Sequence, residues 1–132
     1  MKLDYISPEG LNPGDLPIVR LYGFSTQEVV DLIRMFTDLA DGKLRNAILQ
    51  EQHFIQPIGG ISVELKVGQE DEGMQQIGKD LRFECQLTTE SWREAAFLAE
   101  PFLGETKPHS YQWLVDPREM SIEFLLSVDG CW

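Results

Sequence analysis

At 132 residues, with 42% apolar and 25% charged side chains, the chain is long enough to bury one core and too apolar for intrinsic disorder. Twenty-two Asp and Glu against eleven Lys and Arg leave a net charge of −11, which repels nucleic acid and anionic membrane surfaces. The basic residues are spread from Lys2 to Arg118 rather than gathered, so neither nucleic acid nor membrane is an expected partner.

Residues 1–16 hold Pro8, Gly10, Pro13 and Gly14 among acidic residues and read as an irregular lead-in, pinned by Leu3, Tyr5 and Ile6. Residues 17–132 then read as a single α+β domain. The start Met1-Lys2-Leu3-Asp4 lacks the character of a signal peptide, and no apolar run nears the roughly 20 residues that a membrane helix needs. A cytoplasmic location is therefore expected. Pro17 opens the β-rich run Ile18-Val19-Arg20-Leu21-Tyr22, which Gly23 closes. Ser25-Thr26-Gln27-Glu28 is a capping box, with Phe24 and Val29 at the flanking staple positions. Val29, Ile33, Phe36 and Ala40 follow at helical spacing as far as the natural stop Gly42, which predicts a helix over 26–41.

Residues 43–58 carry two patterns. Leu44, Ile48 and Leu49 suit a helical face, whereas His53-Phe54-Ile55 reads as extended and Pro57 ends regular pairing. Gly59-Gly60 turns the chain into a strand over 61–67, with Ile61, Val63, Leu65 and Val67 inward. Residues 68–80 read as a polar loop around Glu70-Asp71-Glu72, and 81–87 repeats the alternation. Antiparallel pairing of these two strands would set Glu64 and Lys66 near Arg82 and Glu84. Thr88-Thr89-Glu90-Ser91 begins a second helix, with Ser91-Trp92-Arg93-Glu94 as an alternative capping box. Trp92, Ala95, Ala96, Ala99 and Phe102 form its buried face, and Pro101 ends it near Glu100. Strands over 110–115 and 121–128, joined by a turn at 116–119, predict an antiparallel hairpin.

This order implies an α+β fold with two helices packed on one face of a mostly antiparallel four- to five-stranded sheet. It contains β-α-β-β-α-β, so a ferredoxin-like arrangement with an extra C-terminal strand is the leading topology.

Motifs that carry chemistry are missing. Tyr22-Gly23-Phe24 has one glycine where a phosphate cradle needs several, and no serine stands in a GxSxG elbow. His53 and His109 are isolated in sequence, and Cys85 and Cys131 make no CxxC pair. Cys85 alternates into the core, where a thiolate is disfavoured, while Cys131 stands next to the C-terminus with room to be exposed. Glu70-Asp71-Glu72 lacks the ligand pattern of a calcium loop and reads as a solvated acidic turn. No catalytic residue, cofactor or metal is expected.

The aromatic residues offer more. Tyr111 and Trp113 share one strand face, and Leu125 breaks its strand's alternation, so Phe124-Leu125-Leu126 is apolar on both faces. Such a strand is covered by another element or buried in a dimer interface. Core packing explains these aromatics in the ordinary way; an exposed patch ringed by acid is the functional alternative. The candidate interaction surface is Tyr111, Trp113, Phe124 and Leu125 with Glu70, Asp71 and Glu72. It points to a non-catalytic acidic interaction module, of inhibitor, immunity or adaptor type, with a basic protein partner. The alternatives are a homo-oligomeric structural or ligand-binding protein self-associating through its sheet, and a small enzyme whose site assembles from distant residues.

Overall fold

The computed structural model describes residues 1–115 and 122–132. The chain begins in a strand. β1 (Lys2–Ile6) pairs antiparallel with β2 (Ile18–Tyr22), with Leu3 opposite Leu21 and Asp4 opposite Arg20. This corrects the expected irregular lead-in. The helix and strand breakers begin only at Pro8, where a short 3-10 turn (Pro8–Gly10) starts, and the preceding residues alternate well enough to pair.

α1 (Thr26–Ala40) follows, and its capping box is complete. The Glu28 amide donates to the Ser25 hydroxyl at 3.3 Å, and the Ser25 amide donates back to the Glu28 carboxylate at 2.9 Å. The same carboxylate accepts from the amino group of Met1, which also donates to the Phe54 carbonyl at 3.1 Å. Burial opposes the charge on Glu28, but these hydrogen bonds outweigh it and hold the carboxyl below its ordinary range.

The ambiguous stretch 43–58 becomes β3 (Asn46–Ile48), a 3-10 turn (Leu49–Glu51) and the two-residue β4 (Gln56–Pro57) beside β1. β5 (Ser62–Val67) and β7 (Arg82–Leu87) are neighbours as expected, but they run parallel, with Glu64 opposite Glu84. The reason lies between them. In the connecting chain β6 (Gly73–Gln76), in the segment expected as loop, pairs antiparallel with the far edge of β7, so the chain reverses twice and returns parallel to β5. Alternation fixes which side chains point inward and is blind to strand direction, because both pairings preserve the parity. The Lys66 ammonium still reaches the Glu84 carboxylate at 3.6 Å.

α2 (Thr89–Ala99) is capped by the Thr88 hydroxyl, which accepts from the Ser91 amide at 3.2 Å, and it gives way to a 3-10 turn (Glu100–Leu103) where Pro101 stands. β8 (Tyr111–Trp113) and β9 (Glu123–Ser127) pair antiparallel, and the turn expected at 116–119 lies outside the described residues.

The α+β class holds, with the strands divided between two mixed sheets instead of one. The first has the order β4-β1-β2-β9-β8 and the second β3-β5-β7-β6. They are joined where Ile122 bridges Met74 and where the Tyr5 ring lies 4.7 Å from that of Phe83. α1 and α2 pack on each other, α1 reaching β3 and β5 and α2 reaching β7. At their contact Trp92 stacks on Phe36 with ring centroids 5.5 Å apart, and its indole N–H donates to the Lys66 carbonyl at 3.0 Å. The expected buried face of α2, from Trp92 to Phe102, is buried. Among the described residues, no buried side-chain nitrogen or oxygen lacks a partner.

Candidate functional site

β9 decides the first question. Phe124 and Leu125 are both fully buried within the single chain, so they leave the candidate surface. Phe124 lies beside Val19 on the core face. Leu125 lies between Arg20 and Trp113 on the other face of the sheet. There the Arg20 guanidinium donates to both Asp4 oxygens, at 2.7 and 2.9 Å, and to the Gly130 carbonyl at 2.7 Å, which draws the C-terminal turn over that face. Of the two covers that an all-apolar strand allows, the chain supplies its own.

Tyr111 and Trp113 remain accessible. Tyr111 is 46% exposed, Trp113 is half-buried, and their rings meet edge to face at 5.9 Å. Trp113 lines a groove of about 500 Å³ between α2 and β8. Leu87, Leu98, Leu114 and Val115 complete its apolar wall, and the acidic side chains among its described lining residues are Asp71 and Glu94. Glu90, Glu94 and Phe97 follow at helical spacing on the solvent side of α2, where Phe97 is 63% exposed. The solvent side of α2 beside the groove therefore combines acid with apolar surface.

The acidic triplet is a solvated turn only in part, with Glu70 and Glu72 exposed and Asp71 held. Its middle carboxylate accepts from the Thr88 amide at 2.8 Å and from the Ser91 hydroxyl at 2.7 Å, tying the loop to the N-terminus of α2, where a negative charge is favourable. Asp71 thus faces the groove beside Trp113. Glu70 and Glu72 face the opposite way, into a wider open groove of about 1160 Å³ between the N-terminal turn and β6. That groove also carries Glu9, Lys79 and Tyr5, whose hydroxyl is pushed up by burial and by Glu9. The structure brings Trp113 and Asp71 together and sets Glu70 and Glu72 apart from them.

Burial pushes the Cys85 thiol far up, as its inward position leads one to expect. Cys131 is exposed, and its thiol is raised chiefly by hydrogen bonding to Asp129. His109 is not isolated in space: its Nδ1 lies against the Asp129 carboxylate, with Cys131 alongside. The sequence hides this grouping because residues 109 and 129 meet only once β8 and β9 take their register; continuing the predicted hairpin outward by one residue would have exposed it. His53 stands 3.6 Å from Asp31 in a separate, exposed position.

Among the described residues, no helix is long and apolar enough to cross a membrane. Compared with protein-family models, with curated proteins and with solved structures, the chain gives no match.

Proposed function

We propose that the chain is a non-catalytic interaction module that receives a basic protein partner in the groove between α2 and β8. One observation carries this reading. Trp113 and Leu98 line a mixed polar and apolar cleft whose charged lining residues, among the described residues, are the acidic Asp71 and Glu94, on a chain whose net charge is −11. Such a cleft suits a Lys or Arg whose neighbour is apolar. The Glu94 carboxylate receives the cation, the indole receives the aliphatic stem, and the long-range field speeds encounter.

The test is an amide-resolved NMR titration with peptides in which Arg or Lys alternates with Leu, against acidic peptides of the same length. Shifts should gather at 94–98 and 112–115, and binding should weaken between low salt and about 0.15 M salt, where the Debye length is about 8 Å. Trp113→Ala should lower affinity about thirtyfold, as expected for a buried aromatic anchor worth about 2 kcal/mol, and Glu94→Lys about tenfold. Equal shifts with acidic peptides, or shifts scattered away from the groove, would overturn the reading.

A further inference from the structure

The β8–β9 ladder sets Tyr111 opposite Ser127, and it continues past both strands, the Val128 amide donating to the Ser110 carbonyl at 2.9 Å. The same register carried outward sets His109 opposite Asp129. His109 takes a left-handed backbone, φ 67°, which is uncommon for a residue with a side chain, and its ring meets the Asp129 carboxylate. Beyond Asp129 the chain reverses at Gly130, φ 89°. The buried Ser127 hydroxyl holds the reversal, accepting from the Gly130 amide at 2.9 Å and donating to the Cys131 carbonyl at 2.7 Å. Arg20 grips the Gly130 carbonyl from below at 2.7 Å, and the Cys131 amide donates to Asp129 at 3.0 Å. The outcome is that one ligand atom each from His109, Asp129 and Cys131 lies within 4.8 Å of the other two.

We infer that His109, Asp129 and Cys131 form a three-ligand site for a divalent ion of the zinc type, with water completing a tetrahedron. The donor set selects this class. Nitrogen, carboxylate oxygen and thiolate sulfur together suit zinc or cobalt, whereas calcium and magnesium take oxygen ligands. The distances are close to those required. Bonds of about 2.0 to 2.3 Å place tetrahedral ligands under about 4 Å apart, so the three side chains need only a small contraction, and all three are exposed enough to make it. The charges also balance. A divalent cation, one carboxylate, one thiolate and a neutral imidazole sum to zero, and the thiol proton passes to solvent as the metal–sulfur bond forms. Arg20 is the nearby positive group, and its two bonds to Asp4 offset that charge. The backbone of the site is held independently of the ion by Ser127 and Arg20, the support that a preorganised site needs. The bound ion would clamp the open end of the β8–β9 hairpin to the C-terminal turn.

Cobalt titration of the full chain tests this. One equivalent should produce a thiolate-to-cobalt charge-transfer band and the intense d–d bands of a tetrahedral site, both displaced by zinc. Cys131→Ser should abolish the charge-transfer band, and His109→Gln should weaken binding at least tenfold. Cys85→Ser should change neither, because that thiol lies in the core. Zinc, but not magnesium, should slow alkylation of Cys131. Exposed positions carry the two decisive substitutions, and circular dichroism confirms that both variants fold. A wild-type chain giving no saturable band, a band that survives Cys131→Ser, or equal protection by magnesium would overturn the site.

Discussion

Trp92 does two jobs at once. Its ring fills the contact between the helices, and its N–H satisfies a carbonyl of β5, so it ties α2 both to α1 and to the second sheet. Replacement separates the two roles. Trp92→Ala removes the ring and leaves a cavity, and should cost about 3–5 kcal/mol. Trp92→Phe keeps most of the packing but removes the N–H bond to the Lys66 carbonyl, and should cost about 0.5–1.5 kcal/mol. Urea unfolding with an unchanged slope would place the two variants in that order; equal midpoints would remove the hydrogen bond from the account.

At the scale of elements, Glu28 joins three segments: the cap of α1, the start of β1 and, through the Met1 amino group, the Phe54 loop. Its carboxyl is held below the ordinary value of 4.5, so its ionised form stabilises the folded chain above the unfolded-state value, and that contribution is lost as pH falls through the depressed one. Glu28→Gln retains the capping geometry but not the charge. The wild type should therefore be more stable than this variant near neutral pH, and the gap should close as pH is lowered to about 3. A gap that stays constant across the series would mean that the ion pair with the amino group contributes nothing.

Elements with local signals were the legible ones. The cap at Ser25, the glycine stop at Gly42 and the Pro101 break are written in neighbouring residues, and α1 and α2 lie where those residues put them. Strand direction is a different kind of fact. The faces of β5 and β7 follow from alternation, but their parallel pairing depends on β6, whose four residues Gly73-Met74-Gln75-Gln76 carry little apolar pattern of their own. β1 was obscured by the breakers that follow it. In the candidate site, the shared face of Tyr111 and Trp113 was legible from parity but their accessibility was not, Asp71, Glu94 and Leu98 converge from separate elements, and Phe124 and Leu125 prove to be interior.

Over the whole molecule, the net charge of −11 works against compactness, because like charges are closer in the folded chain than in the unfolded one. The exposed ion pairs offset little of this. Arg34–Asp31, Lys66–Glu84 and Arg93–Asp41 are all partly or largely solvent-exposed, a setting in which such pairs contribute about 0–1 kcal/mol. Added salt should then stabilise. Between about 0.01 M and 1 M sodium chloride the Debye length falls from about 30 Å to about 3 Å, and Tm should rise by a few degrees. A fall in Tm over that range would show that the surface pairs outweigh the repulsion.

Among the described residues, the outermost strands of both sheets are short. β4 has two residues and ends in Pro57, β3 and β8 have three each, and β6 has four, with Met74 already bonded to Ile122. A growing fibril or a swapped partner needs a long row of free backbone donors and acceptors to template on, and these margins offer only stubs. Crowding such molecules together gives them little to zip along, so a concentrated solution should stay clear of ribbon-like assemblies while its inner strands remain folded.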